Sequence, residues 1–312
     1  MKKVVYTKYG GVNVLNLEEI EKPIPNNQQF LIKIRSVAIN PIDWKIFMGE
    51  VKLMSGSKFP KFVGSDFSGI IEIAGSDTHG FKVGDEIFGI ILDPFKGGVL
   101  GEYILVDEKQ IALKPAKLSF EHAASIPTAG QTALQMLVKS NITRGQHVLI
   151  NGASGGVGMF AIQIAKNKGA IVTAVAGTRG QDLLKKWGSD YTIDYSKQNV
   201  SDLNRKFDVI LELSNKLPYS KAKKLMNPKA TYITAIAELP VFINSFLNNL
   251  ISKKKYKFIL MKPNVQDLNL VADYVVNGMN VHISNTYPLT AYKEVYEKIS
   301  KEGALGKTVF IV

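Results

Sequence analysis

A glycine-rich stretch in the middle of the chain carries the clearest chemical signal. The apolar run 148–150 leads into it, and apolar residues at helical spacing follow it. Its spacing, Ala153-x-Gly155-x-x-Gly158, is an alanine-for-glycine variant of the dinucleotide fingerprint, although glycine-rich turns are common and one match is weak. A strand, tight turn and helix leave backbone N–H groups free to approach a pyrophosphate. The predicted phosphate-binding residues are Gly152, Ala153, Ser154, Gly155, Gly156, Val157 and Gly158.

The next strand indicates which dinucleotide would bind. It covers 171–175 and ends about 20 residues beyond the turn, where an NAD-selective site has Asp or Glu for the ribose 2′-hydroxyl. Here the end contains Thr178 and Arg179, with no carboxylate. Arg179 can donate charge-assisted hydrogen bonds to a 2′-phosphate, each worth about 1.5–3 kcal/mol. This predicts roughly ten- to hundredfold preference for NADPH over NADH. The alternative is an exposed arginine at a helix start.

The composition indicates a soluble protein large enough for two domains. Of the 312 residues, 46% are hydrophobic and 21% are charged, an ordinary balance for a globular chain. The absence of cysteine excludes disulfides, thiolate zinc sites and cysteine nucleophiles. The N-terminus lacks the apolar segment of a signal peptide, and no run of about 18 apolar residues occurs. We therefore expect a cytoplasmic protein with no membrane partner.

The net charge of +12 raises the question of a polyanionic partner. Arginine, which supplies the forked contacts of base recognition, occurs only at Arg35, Arg144, Arg179 and Arg205. The lysines are scattered apart from the run 253–255. A solvated basic surface is therefore favoured over a nucleic-acid site.

The pattern of apolar residues changes near residue 116. Before it, short strands alternate with turn residues, which suggests a barrel or a strongly bent sheet. After it, helices alternate with apolar strands, which is typical of a parallel sheet covered on both faces. The predicted strands are 147–151, 171–175, 191–193, 207–211, 230–235, 256–261, 281–285 and 307–312, and the predicted helices are 128–139, 156–167, 180–187, 219–226, 265–277 and 290–301.

Several motifs in fixed order resemble one enzyme family along nearly the whole chain. They are Asn40-Pro41-Ile42-Asp43-Trp44-Lys45, Val63-Gly64-Ser65-Asp66-Phe67-Ser68-Gly69, Val83-Gly84-Asp85-Glu86-Ile87-Phe88-Gly89, Gly101-Glu102-Tyr103, Pro127-Thr128-Ala129-Gly130-Gln131-Thr132-Ala133, the glycine turn, Ile193-Asp194-Tyr195 and Gly306-Lys307-Thr308-Val309. Together they resemble the zinc-free medium-chain dehydrogenases/reductases, in the quinone oxidoreductase or enone reductase branch. The resemblance implies an α/β fold in which a GroES-like β-barrel catalytic domain (1–116, with a return at 265–312) holds an inserted Rossmann domain, a doubly wound parallel sheet, at 117–264.

The same resemblance bears on metal binding. Zinc alcohol dehydrogenases of the superfamily have a cysteine where Asn40 stands here, and Gly-His-Glu in place of Gly64-Ser65-Asp66. Both zinc positions are altered, and the four histidines, His79, His122, His147 and His282, are scattered. We expect no metal, and therefore hydride transfer to an acceptor that is already electrophilic, a quinone or an α,β-unsaturated carbonyl.

By the resemblance, Asn40, Asp43 and Lys45 line the nicotinamide end of the cleft. Asn40 would orient cofactor or substrate, Lys45 would donate to the developing enolate oxygen, and Asp43 would hold Lys45. The alternative is an Asx-type turn with a surface ion pair.

Three further contacts come from the resemblance: Thr128 near the nicotinamide ribose, Tyr195 beside the adenine phosphate, and Lys307 in the closing Gly-Lys motif. Each has a structural alternative, namely a helix N-cap, a core-edge aromatic residue and a solvated strand end. The resemblance also suggests a homodimer through edge strands, with 232–234 and 256–260 as candidates.

Two other functions remain open. One is a trans-2-enoyl thioester reductase that uses the lysine-rich surface to dock anionic carriers. The other is a nucleotide-bound protein that holds RNA or another acidic partner, whose binding would weaken steeply with salt. The acceptor pocket is expected from loops around 48–60, 93–98 and 238–255.

Overall fold

The computed structural model describes residues 1–91, 98–235 and 239–312. The strands are β1 Lys2–Tyr6, β2 Asn16–Glu19, β3 Gln29–Ala38, β4 Lys61–Phe62, β5 Asp66–Ala74, β6 Glu86–Ile90, β7 Tyr103–Asp107, β8 Ile111–Leu113, β9 His147–Asn151, β10 Ile171–Ala176, β11 Tyr191–Asp194, β12 Phe207–Glu212, β13 Met226–Thr234, β14 Lys255–Phe258, β15 Ile283–Pro288 and β16 Lys307–Ile311. The helices are α1 Pro41–Phe47, α2 Lys52–Ser55, α3 Phe120–Ala124, α4 Pro127–Ser140, α5 Gly156–Asn167, α6 Gln181–Lys186, α7 Tyr219–Ala222, α8 Leu239–Ile251, α9 Val265–Val276 and α10 Tyr292–Glu302.

The chain forms two compact units. Unit 1 comprises Met1–Thr128 and Pro263–Val312, and unit 2 comprises Ala129–Lys262. The first boundary therefore lies after Thr128, later in the chain than the residue 116 expected from the sequence. The reason is that the segment carrying α3 is tied to the first unit: the Ser68 hydroxyl donates to the Phe120 carbonyl at 2.7 Å.

Unit 1 is organised around the long strand β3. It pairs antiparallel with β5 along most of its length, with β7 at its N-terminal half and with β16 at its C-terminal end. A small sheet in the order β2-β1-β4 lies in the same unit. Strand β3 is largely buried, and aromatic side chains fill the core around it, among them Phe30, Phe47, Phe67, Tyr296 and Phe310. Strand β3 is thus shared by three partners, and its pairing with β5 shifts register between Leu31 and Ile32 and again between Ile34 and Ser36, irregularities of the kind that bend a strand.

Unit 2 is a six-stranded parallel sheet in the order β11-β10-β9-β12-β13-β14. Strand β9 lies at its centre, and four of its five residues are buried because neighbouring elements cover the sheet. The strand order reverses between β9 and β12, and the crevice at such a point is where doubly wound sheets bind nucleotides. The predicted doubly wound fold is confirmed.

Two sequence-based assignments change. Residues 232–234 belong to β13, which pairs with β12 and β14, so they cannot form an edge strand, whereas β14 lies at the end of the sheet. Part of the loop expected at 238–255 is the helix α8. Residues 93–97 and 238 of the expected pocket loops lie outside the described residues. Within the described part of the chain, no helix is long and apolar enough to span a membrane.

Candidate cofactor and catalytic sites

The glycine turn lies at the carboxyl edge of the parallel sheet, beside the reversal of strand order. Strand register sets Asn151, the last residue of β9, opposite Val175 in β10 and Glu212 in β12. Gly152 then reverses the chain with φ of +84°, and a Cβ there would lie 3.0 Å from the Cβ of Ser214. A positive φ and a close neighbour both favour glycine at this position. The strand, turn and helix predicted from the sequence are all present.

The three small-residue positions of the fingerprint have separate structural roles. Ala153 is buried and donates its N–H to the Val175 carbonyl at 2.9 Å, which pins the turn to β10. A Cβ at Gly158 would lie 2.3 Å from the Ala153 carbonyl oxygen, so only glycine allows α5 to pack this closely on the strand. At Gly155, the N-cap of α5, a Cβ would have no neighbour nearer than the Gly152 carbonyl at 3.9 Å.

The space beside Gly155 is thus open, and the first N–H groups of α5 lack acceptors within the helix. A side chain at this position would fill the approach to those donors. The residues fit a dinucleotide pyrophosphate, and Gly152–Gly158 is called the phosphate turn below.

Thr178, Arg179 and Tyr195 lie at the same sheet edge, since Ala176 of β10 is opposite Asp194 of β11. Arg179 is exposed and lies in the short turn Thr178–Gly180, just beyond the end of β10. Tyr195 is 63% exposed, and its hydroxyl would lie 3.0 Å from a Cβ built on Gly177. The Tyr195 ring therefore covers the backbone next to Thr178 and Arg179, which excludes the core-edge alternative.

The structure adds a carboxylate that the sequence did not assign to this edge. The Thr178 hydroxyl donates to Asp194 Oδ2 at 2.6 Å, and Ser196 donates through its hydroxyl and N–H to Asp194 Oδ1. These hydrogen bonds, from Ser196 first and then from Thr178, lower the pKa of Asp194. A carboxylate thus lies beside the end of β10, on the neighbouring strand, and is hydrogen-bonded to Thr178.

A second missed network lies at the strand-order reversal itself. The Asn151 side-chain amide donates to Glu212 Oε2 at 2.7 Å and to the Ser214 hydroxyl at 2.9 Å. Ser214 in turn donates its N–H and hydroxyl to Glu212 Oε1. Glu212 is buried, and these bonds fix the backbone against which Gly152 turns. Polar residues at the ends of two apolar strands were the available signal in the sequence.

In unit 1, polar side chains come together where β3 ends and where β5 and β16 begin. Ala38 in β3 lies opposite Asp66 in β5 and opposite Val309 in β16. Asn40, which follows β3, and Lys307, which begins β16, are thereby brought to the start of β5. The resulting set is called the buried polar cluster: Asn40, Asp43, Ser65, Asp66, Thr128 and Lys307.

Lys307 is the cation of this cluster. It is 3% exposed, and its Nζ donates to Asn40 Oδ1 at 2.7 Å and to the Ile39 carbonyl at 3.0 Å. Its Nζ lies 3.8 Å from Asp66 Oδ2. Burial lowers the pKa of Lys307, and the carboxylates of Asp66 and Asp43 act in the opposite direction. The alternative of a solvated strand end is therefore wrong.

Asp66 and Thr128 are bound to each other. The Thr128 hydroxyl donates to Asp66 Oδ1 at 2.6 Å, and the Thr128 N–H lies 3.2 and 3.1 Å from the two carboxylate oxygens. Asp66 is fully buried, and burial raises the pKa of this carboxyl while Lys307 and Thr128 lower it. Thr128 thus anchors the first turn of α4 in unit 1. Asp66, 62 positions earlier in the chain, accepts the hydrogen bond from the Thr128 N–H that an adjacent N-cap side chain usually accepts.

The hydrogen-bond partners of Asp43 differ from the expected contact with Lys45. Asn40 is the N-cap of α1, and its N–H donates to Asp43 Oδ2 at 2.8 Å, while the Ser65 hydroxyl donates to Asp43 Oδ1 at 2.7 Å. Burial raises the pKa of Asp43 to about 7. Lys45 is half-buried, and within the described residues it forms no ion pair with Asp43. The prediction that Asp43 holds Lys45 is wrong: the Asp43 carboxylate is buried and is instead bound by the Asn40 N–H and the Ser65 hydroxyl.

The cluster also bears on metal binding. Across residues 1–91, 98–235 and 239–312, no three His, Cys, Asp or Glu side chains are grouped as metal ligands. Where the resemblance would place zinc ligands, the structure has the Asn40 amide and the Asp66 carboxylate beside the Lys307 ammonium group, and a Ser65 hydroxyl that donates to Asp43. This donor set does not fit a zinc ion.

Two protein-family models match the chain. The alcohol dehydrogenase GroES-like domain matches residues 26–116, and the zinc-binding dehydrogenase domain matches residues 187–310. Together they cover parts of both units.

Among known proteins, the chain is 30% identical over 99% of its length to a quinone-oxidoreductase homologue of spinach chloroplasts (Spinacia oleracea), covering 98% of that protein. It is 38% identical over 68% of its length to the chloroplastic NADPH-dependent alkenal/one oxidoreductase of Arabidopsis thaliana. The chain spans 57% of the length of this second relative. The solved structure of the quinone oxidoreductase from Coxiella burnetii superposes with a TM-score of 0.93 at 28% identity, covering all of this chain and 99% of that one.

Proposed function

The chain belongs to the medium-chain dehydrogenase/reductase superfamily, in its quinone and enone oxidoreductase branch, and we propose that it transfers hydride from NADPH to a quinone or an α,β-unsaturated carbonyl without zinc. Nicotinamide-dependent oxidoreduction is common to this branch. The proposal adds the choice of NADPH, the class of acceptor and the independence from metal.

The buried ammonium group of Lys307 is the observation that carries the proposal. It is hydrogen-bonded to Asn40 and lies 3.8 Å from Asp66, two residues at positions where the zinc alcohol dehydrogenases of the superfamily have ligands. A fixed cation there repels a divalent metal, which removes the Lewis acid that would polarise an alcohol or a plain carbonyl. The acceptor must then stabilise negative charge on its own oxygen, as quinones and enones do.

A bound nicotinamide supplies the hydride, and the chain's residues supply binding and charge. The phosphate turn and the N-terminus of α5 would hold the pyrophosphate. We assign Lys45 as the cationic donor to the enolate oxygen, because it is half-buried and enters no ion pair in the described chain. Asn40 is a positioning residue, since its amide oxygen accepts from Lys307 and its N–H binds Asp43.

The choice of NADPH depends on Arg179. It is exposed at the end of β10, where a 2′-phosphate would lie, and the Arabidopsis relative is named as NADPH-dependent. Asp194, fixed by Thr178 and Ser196, opposes a phosphate through its charge. NADPH selectivity therefore requires that the arginine outweigh the carboxylate.

The central experiment is turnover of purified protein with NADPH and NADH against a panel of quinones, enones and alkenals, each with and without a metal chelator. We expect NADPH oxidation with at least one enone or quinone, unchanged by the chelator. Lys45→Met should lower kcat, and Lys45→Arg should retain more of it. No turnover across the panel, or loss of activity with chelator that zinc restores, would refute the proposal.

The same panel should include crotonyl thioesters. Faster turnover of these than of free enones would assign the protein to the thioester reductases. RNA binding that weakens steeply between about 50 and 200 mM salt would favour the acidic-partner hypothesis.

The cytoplasmic location and the homodimer remain predictions. Strand β14 ends the parallel sheet and is where a second copy would pair, but it carries Lys255 and Lys257, and charged residues on edge strands oppose such pairing. Light scattering on a size-exclusion column measures the oligomeric state, and fractionation of cells measures the location.

A further inference from the structure

Helix α8, expected from the sequence to be a loop of the acceptor pocket, exposes an apolar face to which the proposed function assigns no role. Ile243, Phe246, Leu247, Leu250 and Ile251 follow one another at spacings of three, one, three and one and are 52, 66, 53, 68 and 90% exposed. This spacing places them on one side of the helix. Exposed large apolar residues scattered singly are normal, but five on one helix face indicate an interaction surface. These five residues are called the apolar face of α8.

The opposite side of α8 is firmly attached to unit 2. The Phe242 ring packs edge-on against Phe258 with centroids 4.3 Å apart. The Asn249 side chain donates to the Tyr256 carbonyl at 2.7 Å and accepts from the Tyr256 N–H at 2.9 Å. Asn248 accepts from the Tyr219 hydroxyl at 2.9 Å. Because polar side chains fix the inner side, the helix cannot turn its apolar face inward without breaking these bonds.

The surroundings of the apolar face are basic. Residues 213–266 contain ten lysines, no arginine and a single acidic residue, Glu238, and none of these lysines is buried. The lysines crowd together: Lys254 Nζ donates to the Lys223 carbonyl at 2.9 Å, and Lys257 Nζ donates to the Lys139 carbonyl at 2.8 Å. Burial, followed by neighbouring lysines, lowers the pKa of Lys254. Positive charge is thus gathered at the C-terminal end of α8, where Lys255 Nζ also donates to the carbonyls of Asn249 and Ser252 at 3.1 and 3.2 Å.

An apolar helix face flanked by lysines is the combination that binds membrane surfaces. Such a helix lies in the interface, with its apolar side about 5–10 Å below the headgroups and its basic residues at anionic lipids. We propose that α8 and the lysines of residues 253–262 dock the protein reversibly onto an anionic lipid surface. The sequence-based expectation of no membrane partner concerned a spanning helix, and the proposal concerns a helix lying on the membrane.

A second copy of the chain fits this surface less well. A twofold-symmetric contact would use the same patch on both subunits, so the lysine runs 253–255 of the two copies would be brought to one interface, where their charges repel. An acidic nucleic acid would be attracted by the lysines, but the apolar face offers one aromatic ring, Phe246, for stacking, and the segment has no arginine for base contacts. Anionic lipid satisfies both the apolar and the basic parts.

The test is co-sedimentation with vesicles of phosphatidylcholine alone and with about one third phosphatidylglycerol, at about 0.1 M salt. We expect binding to the anionic vesicles at least tenfold stronger than to the neutral ones. Phe246→Ser/Leu250→Ser should weaken it at least tenfold, whereas Ile24→Ser/Leu53→Ser, at apolar positions that are even more exposed, should leave it unchanged. Lys253→Gln/Lys262→Gln should weaken it about fivefold per lysine, and Lys8→Gln/Lys298→Gln should weaken it less.

A fluorescent variant keeps the test independent of the folding of the double mutants. In Phe246→Trp, the emission should shift to shorter wavelength on anionic vesicles, and in Ile24→Trp it should not. Equal binding to both vesicle types, or binding unaffected by Phe246→Ser/Leu250→Ser, would overturn the proposal. So would a dimer that this double variant dissociates, or RNA binding that exceeds vesicle binding and survives the double variant.

Discussion

The phosphate turn of unit 2 and the buried polar cluster of unit 1 differ in how far apart their parts lie along the chain. The turn uses consecutive residues, 152–158, and acts through its backbone. The cluster joins side chains that lie as much as 267 positions apart, Asn40 and Lys307. One site is specified locally by glycine spacing, and the other exists only when β3, β5 and β16 have paired in register.

The two regions also differ in what a substitution should disturb. The turn faces open space at Gly155 and contains no charged group, so a change there should alter binding while the sheet stays folded. The cluster contains two buried carboxylates and one buried ammonium group, and removing one member leaves the others without compensation. The comparison predicts that a substitution at Gly155 impairs cofactor binding, whereas a substitution in the cluster lowers the stability of the fold.

Lys307→Met should give the largest effect. It leaves Asp66 buried without its cation and removes the donor to Asn40, so we expect a loss of about 3–5 kcal/mol in the free energy of unfolding. Urea unfolding followed by circular dichroism measures it. Lys298→Met, at an exposed position, is the matched control.

The double variant Asp66→Asn/Lys307→Met should be more stable than Lys307→Met alone, because it no longer buries an unpaired carboxylate. Full stability of the single variant would show that the cluster does not hold unit 1 together and would remove the contrast with the turn.

Gly155→Val tests the other side of the comparison. A valine there meets no protein atom nearer than 3.9 Å from its Cβ but fills the approach to the N-terminus of α5, so NADPH affinity should fall about a hundredfold or more, worth about 2.7 kcal/mol. The midpoint of urea unfolding should barely move.

Gly158→Ala should do the opposite and lower stability by about 1–3 kcal/mol, because its Cβ would lie 2.3 Å from the Ala153 carbonyl. Isothermal titration with NADPH separates the two results.

The same contrast explains what the sequence could predict. The strand at 147–151 and the helix at 156–167 agree with β9 and α5 residue for residue, because local apolar patterns and glycines define them. The partner of Asp43 was wrongly assigned because Ser65 reaches it only through tertiary pairing. Helix α8 was assigned to a pocket loop, although its apolar residues recur at spacings of three and four and were the available signal for a helix.

Arg179→Ala should have an effect of intermediate size, confined to the affinity for the cofactor. Loss of the guanidinium should weaken NADPH binding about ten- to hundredfold and leave NADH binding nearly unchanged. Asp194→Asn should change NADPH affinity in the opposite direction, since it removes a like charge from the same edge. Competition binding of the two nucleotides measures both, with the exposed Arg144→Ala as control. Equal losses for NADPH and NADH in Arg179→Ala would exclude a 2′-phosphate contact.

The pH dependence of unfolding gives the smallest effect and tests the protonation of Asp43, one member of the buried polar cluster. Burial raises the pKa of Asp43 from 3.8 to about 7 in the folded protein, so between these pH values the unfolded chain releases a proton that the folded chain keeps. Stability contributed by this group is therefore present below pH 3.8 and is lost as pH rises towards about 7.

Asp43→Asn removes the titration, although it also disturbs the bond to the Asn40 N–H by an amount independent of pH. The free energy of unfolding of the wild type, relative to this variant, should thus decline across that interval in urea titrations at several pH values. A constant difference would mean that Asp43 is ionised in the folded cluster throughout, stabilised by Ser65, Asn40 and the charge of Lys307.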